Sequence, residues 1–202
     1  MEDQYQKLIN ESFFDYARSI DKLRNIIRYA TAPRTSSESV AEHSFFVASY
    51  VLKLYEYYDF NLQKALSMAL LHDFSEAYIS DVPHPVKAGN PELNEALEKA
   101  ERKVNSQYLS EDVANWIEEM NHLSSYEGMI CVLADVISVV TYAKYEMDLG
   151  NKAYMKGVYD GSKNRYIELV RNLCTIARKD PEETTKNVLE QIFNIFSQEI
   201  EQ

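Results

Sequence analysis

Apolar residues recur every three or four positions along most of this 202-residue chain, and no stretch alternates apolar and polar residues as a half-buried strand would. Gly and Pro occur only five times each, which also favours helices over a sandwich or barrel. The spacing therefore predicts an all-α fold, a single-domain helical bundle over residues 1–202. The predicted helices cover residues 2–30 (two helices with a bend near 18–19), 40–58, 62–79, 91–109, a short segment from 111, 128–147, 165–179 and 184–200.

Capping signals fix several of the predicted helix starts. Ser39 and Glu42 have the spacing of a capping box, and so do Ser124 and Glu127. Two segments rich in Pro, Ser and Thr or Gly are predicted as loops, residues 31–39 and 80–91, and residues 148–162 are less regular.

Charge and cysteine content limit the partners and the compartment. The formal net charge is −11, and an acidic surface repels phosphate backbones, so we expect no nucleic-acid polymer as a partner. Cys131 and Cys174 lie in apolar helical segments, which predicts reduced thiols and a cytoplasmic protein. The N-terminus lacks a signal-peptide pattern, and no apolar run approaches the roughly 18 residues of a membrane span, so no membrane association is expected.

Several ionisable residues occur where the chain is otherwise apolar. His43 lies inside an amphipathic helix, and His72-Asp73 follows directly after the apolar run 68–71. Glu76 lies one helical turn beyond this pair, on the same face. Asp135 is the only charge between residues 129 and 140. A carboxylate buried without a partner costs several kcal/mol, so something positive is expected to hold these groups.

Two imidazoles and two carboxylates form a donor set that suits Mn, Fe, Co or Zn and leaves positions for water and substrate. A metal-activated water would then serve as a nucleophile near neutral pH. The simpler interpretation is structural, because a lone helical histidine is more often a hydrogen-bonded core or surface residue. A helical aspartate can likewise pair with an arginine or mark an interface.

In combination, these residues resemble the H…HD…D pattern of the HD-domain metal-dependent phosphohydrolases, here His43, His72-Asp73 and Asp135. The stretches "SVAEHS", "LLHDFSEAYISDVPHPVK" and "LADVISVV" are most similar to the bacterial 5′-deoxynucleotidases of that family. The resemblance covers about residues 18–150, the motif-bearing core. Residues 151–202 carry no motif of the family.

The resemblance implies that His43, His72, Asp73 and Asp135 bind one divalent ion, Co, Mn, Fe or Zn, with Mg also acceptable. Glu76 would be the catalytic residue that orients the attacking water and passes protons.

The resemblance also implies four substrate contacts. Arg28 would hold the phosphate by a forked contact, and Asp81 would bind the sugar 3′-hydroxyl. Tyr29 would lie where a ribose 2′-hydroxyl would sit; the bacterial enzymes have Trp at that position, so the departure weakens the expected preference for deoxyribose. Lys87 would reach phosphate, although a solvated loop lysine is an equal interpretation. His84, His122 and Arg34 are weaker candidates from neighbouring loops.

The function expected is removal of the 5′-phosphate from (deoxy)ribonucleoside monophosphates, with deoxyribonucleotides preferred and bases tolerated. One alternative is a (deoxy)nucleoside triphosphate hydrolase on the same fold, for which Arg24, Arg28, Arg34 and Lys87 would supply positive charge. Another is a non-catalytic nucleotide-binding helical module. The tyrosine-rich helix near residues 50–60 would serve a homodimer, an arrangement common in the family.

Overall fold

The computed structural model describes residues 11–177, and this part of the chain contains helices and no strand. The all-α prediction is therefore confirmed. The residues before 11 and the predicted helix 184–200 lie outside the described residues, and so does part of the predicted single domain. The helices are α1 (Glu11–Lys22), α2 (Val40–Tyr55), α3 (Leu62–Leu71), α4 (Glu76–Ile79), α5 (His84–Gly89), α6 (Pro91–Tyr108), α7 (Glu111–Asn121), α8 (Tyr126–Asp148) and α9 (Lys152–Ala177), with a 3-10 turn at Leu23–Asn25.

Helix α8 forms the centre of the bundle, with α2, α3, α7 and α9 packed around it. Its apolar residues, among them Ile130, Leu133 and Ile137, are almost fully buried. By length and composition alone, α8 is long and apolar enough to cross a membrane. The expectation that no segment of the chain has this property is therefore wrong. Two thirds of that window (67%) is buried inside the bundle, so contacts with neighbouring helices account for its apolar composition.

The Ser39–Glu42 capping box is confirmed at the start of α2, where each residue bonds the backbone N–H of the other, at 3.2 and 2.7 Å. The second predicted capping box is wrong by one residue. Ser125, not Ser124, caps α8 by accepting from the Gly128 N–H at 3.1 Å. Glu127 instead accepts from the backbone N–H of Asn61 at 3.0 Å, which ties α8 to the start of α3.

The predicted second helix up to residue 30 is absent. After the 3-10 turn the chain extends and pairs with residues 38–40, because the Arg28 N–H donates to the Glu38 carbonyl and the Val40 N–H donates to the Ile26 carbonyl, each at 2.9 Å. Tyr29 follows with φ +56°, a left-handed conformation that no helix contains. The apolar spacing of this segment is thus overridden by pairing with residues ten positions later.

The predicted helix 62–79 is interrupted after Leu71. Residues 72–75 form tight turns, with the Phe74 N–H donating to the Leu71 carbonyl at 3.0 Å, and α4 follows as a separate short helix. Three further boundaries differ from prediction. Helix α2 ends at Tyr55 rather than residue 58, α5 lies within the predicted loop 80–91, and α9 begins at Lys152, within the segment predicted to be irregular.

Candidate active site

Helices α2 and α8 bring His43 and Asp135 together at the centre of the bundle. The His43 side chain is 1% exposed, and its Nε2 lies 3.1 Å from Asp135 Oδ1. Its other ring nitrogen, Nδ1, lies 3.1 Å from the hydroxyl of Ser138, one turn further along α8. Ser138 is also buried, so the imidazole is enclosed on both sides by α8.

The turn after α3 presents His72 and Asp73 to the same point. His72 Nε2 lies 3.2 Å from Asp73 Oδ2, and its Nδ1 lies 3.0 Å from the Ala69 carbonyl oxygen. The imidazole rings of His72 and His43 are 5.3 Å apart between centroids. His72 is the C-cap of α3 and keeps helical backbone angles, with its N–H donating to the Met68 carbonyl at 2.8 Å, so the pair lies at the very end of α3 and within reach of His43.

One donor atom each from His43, His72 and Asp135 lie within 4.8 Å of one another. Asp73 borders this group, with Oδ2 3.9 Å from His43 Nε2. Among the described residues, the Nε2 atoms of both histidines are buried without a hydrogen bond of acceptable geometry. Buried polar atoms are nearly always paired, and two imidazole nitrogens beside two carboxylates form a donor set for a divalent cation. The residues predicted as metal ligands are therefore brought together and fit such an ion.

The electrostatics of the four groups are strongly perturbed. Burial and the neighbouring Arg28 lower the pKa of His43 to about 4, so its imidazole is neutral. Burial also opposes the charged form of His72, but the adjacent Asp73 outweighs it and raises the pKa to about 9. Burial favours the neutral carboxyls, yet the histidines hold the pKa of Asp73 and of Asp135 below its usual value. Both carboxylates are thus ionised at neutral pH, as ligands need to be.

Arg28 reaches the cluster from the extended segment before α2. Its Nη1 donates to Glu38 Oε2 at 2.8 Å and lies 2.7 Å from His43 Nδ1. Glu38 is 6% exposed, so this ion pair is shielded from water. Sequence reasoning missed Glu38, although a carboxylate just before a capping box and ten residues after an arginine could have been considered.

Glu76 and Asp81 lie on the side of the cluster formed by α4 and the segment after it. Glu76 Oε2 is buried and has no hydrogen-bond partner among the described residues. Burial, followed by the charges of Asp73 and Asp81, raises the pKa of Glu76 to about 10. Burial also raises the pKa of Asp81, opposed by the nearby Arg28 and by a hydrogen bond from the Tyr29 backbone. Asp81 therefore lies near Arg28 and the Tyr29 backbone.

A cleft of about 430 Å³ connects His72, Asp73, Glu76 and Asp135 to the surface. Its outer walls come from α5, α6, α7 and α9, and they contain the predicted Lys87 as well as His122. Lys87 Nζ is paired with Glu101 at 3.4 Å. Sequence reasoning did not predict the outer residues of the cleft, which include Asn94, Glu98, Arg102, Glu118 and Arg165.

Two weaker candidates lie away from the cluster. His84 begins α5 on the exposed surface and does not line the cleft. Arg34 is exposed, and its Nη1 donates to the Tyr29 carbonyl at 3.0 Å, so it supports the loop rather than facing the carboxylates.

The loop that carries Arg28 and Glu38 is anchored by Glu146, a buried carboxylate that the sequence analysis did not single out. Glu146 accepts from the backbone N–H groups of Thr35 and Ser36 at 2.7 and 2.6 Å, and from Asn151 Nδ2 at 2.9 Å. Burial alone would raise its pKa, but these hydrogen bonds lower it to about 2. The available signal was helical spacing, because Glu146 is eleven residues after Asp135 and so shares its face of α8.

Solved structures with the same fold support the architecture. A conserved hypothetical protein of Pyrococcus furiosus superposes with TM-score 0.66 at 23% identity, covering 89% of this chain and 98% of that one. An HD-domain phosphohydrolase of Listeria innocua superposes with TM-score 0.62 at 23% identity, covering 91% of this chain and 98% of that one. The HD phosphohydrolase of cyanophage S-2L, solved with dA and one catalytic Zn²⁺, superposes with TM-score 0.61 at 18% identity, covering 90% of this chain and 96% of that one.

An all-helical bundle with this cluster of histidines and aspartates is that of an HD-domain phosphohydrolase. Similar curated proteins include 5′-deoxynucleotidases of Pasteurella multocida, 28% identical over 67% of this chain and 75% of the relative, and of Vibrio parahaemolyticus, 30% identical over 66% and 75%. The model of the YfbR-like 5′-deoxynucleotidase family matches residues 13–179, and the chain belongs to that family. It is accordingly a metal-dependent hydrolase that acts on nucleotides as phosphoric monoesters.

Proposed function

We propose that this enzyme removes the 5′-phosphate from nucleoside monophosphates and prefers deoxyribonucleotides, using one divalent cation held by His43, His72, Asp73 and Asp135. The observation that carries the proposal is the pair of buried, unpaired Nε2 atoms that face two carboxylates. A cation bound there would lower the pKa of a coordinated water and withdraw charge from the phosphoryl oxygens. Co, Mn, Fe and Zn all accept nitrogen and oxygen ligands, and the proposal applies to any of these ions.

The remaining roles belong to side chains around the cluster. Arg28, always protonated and already shielded from water, would bind phosphate oxygens that project from the cation site. Glu76 has an unpaired buried oxygen and a pKa raised to about 10, so it is suited to hold a proton and deliver it to the departing 5′-oxygen. Asp81, next to Tyr29, would accept a hydrogen bond from the sugar 3′-hydroxyl.

Selectivity for the sugar would depend on Tyr29. Its ring is stacked on Tyr142, with centroids 5.3 Å apart and planes inclined by 11°, which restricts its movement. A ring held in this way next to Arg28 would leave little room for a 2′-hydroxyl. We expect Tyr29→Trp to increase the ratio of kcat/KM for dAMP over AMP, and Tyr29→Ala to decrease it.

A monophosphate fits better than a triphosphate. Of the four basic residues considered for a triphosphate, only Arg28 contacts the cluster; Arg24 is paired with Asp21 on the surface at 3.2 Å. Lys87 is paired with Glu101, and Arg102 of the outer cleft lies within 4.0 Å of both Glu98 and Glu118. These basic side chains are already balanced by carboxylates, so they offer little net positive charge for a β- or γ-phosphate.

The test is an activity screen with added divalent ions across ribo- and deoxynucleoside mono-, di- and triphosphates, with assays for phosphate, pyrophosphate and triphosphate. We expect the wild-type protein to release phosphate from deoxynucleoside monophosphates. This activity should be lost in His72→Ala and Asp73→Ala variants that fold normally. Release of triphosphate would favour the alternative enzyme. Full activity in the folded variants would favour a site elsewhere or a non-catalytic role.

We also infer a homodimer and a cytoplasmic location. Helix α2 exposes Phe45 (64%), Phe46 (46%) and Leu52 (50%), and the small Ser49 between them would permit close approach of a second α2. Light scattering during gel filtration should give twice the monomer mass, and Phe45→Glu should reduce it to the monomer mass. The buried free thiol of Cys131 is in keeping with a reducing compartment.

A further inference from the structure

The Nδ1 atom of His43 has two competing neighbours. Arg28 Nη1 lies 2.7 Å away on one side, and Ser138 Oγ lies 3.1 Å away on the other. The imidazole is buried, so water cannot substitute for either neighbour. On the far edge of the ring, Nε2 faces Asp135 and Asp73.

The two contacts of Nδ1 require different positions of the ring proton. A guanidinium has only donors, so the contact with Arg28 needs a lone pair on Nδ1 and places the proton on Nε2. A cation bound at Nε2 needs the lone pair there and places the proton on Nδ1. The contact between Arg28 and His43 and the binding of a cation by Nε2 therefore exclude each other.

Ser138 resolves this conflict, because a hydroxyl can accept as well as donate. With the proton on Nδ1, Ser138 Oγ is the acceptor within reach. His72 offers an internal comparison. Its Nδ1 faces the Ala69 carbonyl, which can only accept, so Nδ1 carries a proton and Nε2 is the nitrogen left for a cation. His43 lacks such a fixed partner and depends on a side chain.

We propose that Ser138 is the positioning residue for His43: its hydroxyl accepts the Nδ1–H when Nε2 binds the cation, and Arg28 then turns away from His43. The inference rests on the proposed cation site. Arg28 remains tethered by Glu38, which bonds the same Nη1 at 2.8 Å, so the guanidinium moves only a short distance. Loading the cation thereby frees an N–H of Arg28 for the substrate phosphate, and the two binding events are coupled.

The test measures cation affinity directly, by competition between the protein and a chromophoric chelator for Zn²⁺ or Co²⁺ without nucleotide. Ser138→Ala should weaken affinity about ten- to hundredfold, the usual effect of removing an outer partner of a ligating histidine. Ser138→Thr, which keeps the hydroxyl, should recover most of it. Arg28→Met removes the competing donor and a positive charge, and should leave affinity unchanged or raise it. Ser67→Ala, a serine on α3 bonded to its own helix, is the matched control.

A second measurement separates positioning from packing. Nitrogen-15 spectra of the histidine rings should show the His43 proton on Nδ1 in the Zn²⁺-loaded protein and on Nε2 in the ion-free protein. The inference is overturned if Ser138→Ala loses less than about tenfold in affinity, if Arg28→Met weakens binding, or if the proton stays on Nε2 after loading. A wild-type protein that binds no divalent ion would instead refute the proposed function itself.

Discussion

Tyr142 lies flat against Tyr29 and at the same time donates its hydroxyl hydrogen to the Ser36 carbonyl at 3.0 Å. A single residue of α8 thus holds both the beginning and the later part of the loop between the 3-10 turn and α2. Tyr29, the partner in this stack, is also the tyrosine proposed to contact the sugar. The loop has a few backbone hydrogen bonds of its own, such as that from the Ala32 N–H to the Tyr29 carbonyl, and contacts with α8 add to them.

Replacing Tyr142 should separate the two contributions. Tyr142→Phe keeps the stacked ring and removes one hydrogen bond, which should lower the free energy of unfolding by about 1 kcal/mol. Tyr142→Leu also removes the ring, for a loss of about 2–4 kcal/mol. Urea unfolding at pH 7 measures both. Tyr145→Phe, a 54% exposed residue of the same helix, is the control and should change stability by less than about 0.5 kcal/mol. Equal effects of Phe and Leu would contradict the role of stacking.

The buried Glu146 should give stability a specific pH dependence. Its folded pKa is about 2, below the ordinary value of 4.5, so the folded protein keeps the carboxylate ionised where the unfolded chain takes up a proton. This contribution is complete above about pH 4.5 and is lost as the pH falls towards 2. Glu146→Gln should lower the free energy of unfolding at pH 7 by about 1–3 kcal/mol.

The difference in the free energy of unfolding between wild type and Glu146→Gln should become smaller when urea unfolding is repeated at pH 5, 4 and 3. The exposed Glu168 on α9 provides the control, since Glu168→Gln should change the free energy of unfolding at pH 7 by less than about 0.5 kcal/mol. A difference that stays constant from pH 7 to pH 3 would argue against the ionised anchor.

A divalent ion should stabilise the folded protein. At a free ion concentration near one hundred times the dissociation constant the gain is about 2.7 kcal/mol, which corresponds to a rise of roughly 5–10 °C in Tm for a chain of this size. Chelation should reverse the rise, and Asp135→Asn should abolish most of it. Asp148→Asn, an exposed aspartate at the end of the same helix, should retain the full shift. An Asp135→Asn variant with an unchanged shift would remove Asp135 from the ligand set.

Glu76 should be needed for catalysis but not for ion binding. Glu76→Gln keeps the shape of the side chain and loses the transferable proton, so kcat should fall about 10²- to 10⁴-fold. The ion-induced rise in Tm should persist, because Glu76 is not part of the His43, His72 and Asp135 cluster. Glu95→Gln, exposed on α6, should keep wild-type kcat. Joint loss of activity and of the thermal shift would indicate that Glu76 acts as a ligand.

The sequence predicted those features that depend on neighbours close in the chain. The capping box of α2 and the apolar faces of α2, α3 and α8 require only local spacing, and they were found as expected. The grouping of His43, His72 and Asp135, with Asp73 beside them, was expected from the lone carboxylate in the apolar part of α8 together with the resemblance to the H…HD…D pattern.

Features fixed by distant contacts escaped prediction. The apolar run after Leu62 gives no local sign that the helix ends at Leu71, and the turn that follows buries Phe74 completely. Residues 26–30 have helical spacing, yet the pairing of Arg28 with Glu38 and a left-handed Tyr29 replace the helix. Glu146 bonds residues 110 and 111 positions away, a separation that no periodicity reveals.

Four polar side chains of α8 lie along one stripe, at positions 135, 138, 142 and 146. Insertion or deletion of one residue between them would turn everything downstream by about 100° about the helix axis. An insertion after Asp135 would withdraw Ser138, Tyr142 and Glu146 together from His43, Tyr29 and the loop, while the carboxylate itself stayed in place. We therefore expect natural variants of this enzyme to tolerate length changes at the ends of α8 and to keep the interval 135–146 at constant length, so that the rotational phase of this one helix sets the geometry of the whole catalytic centre.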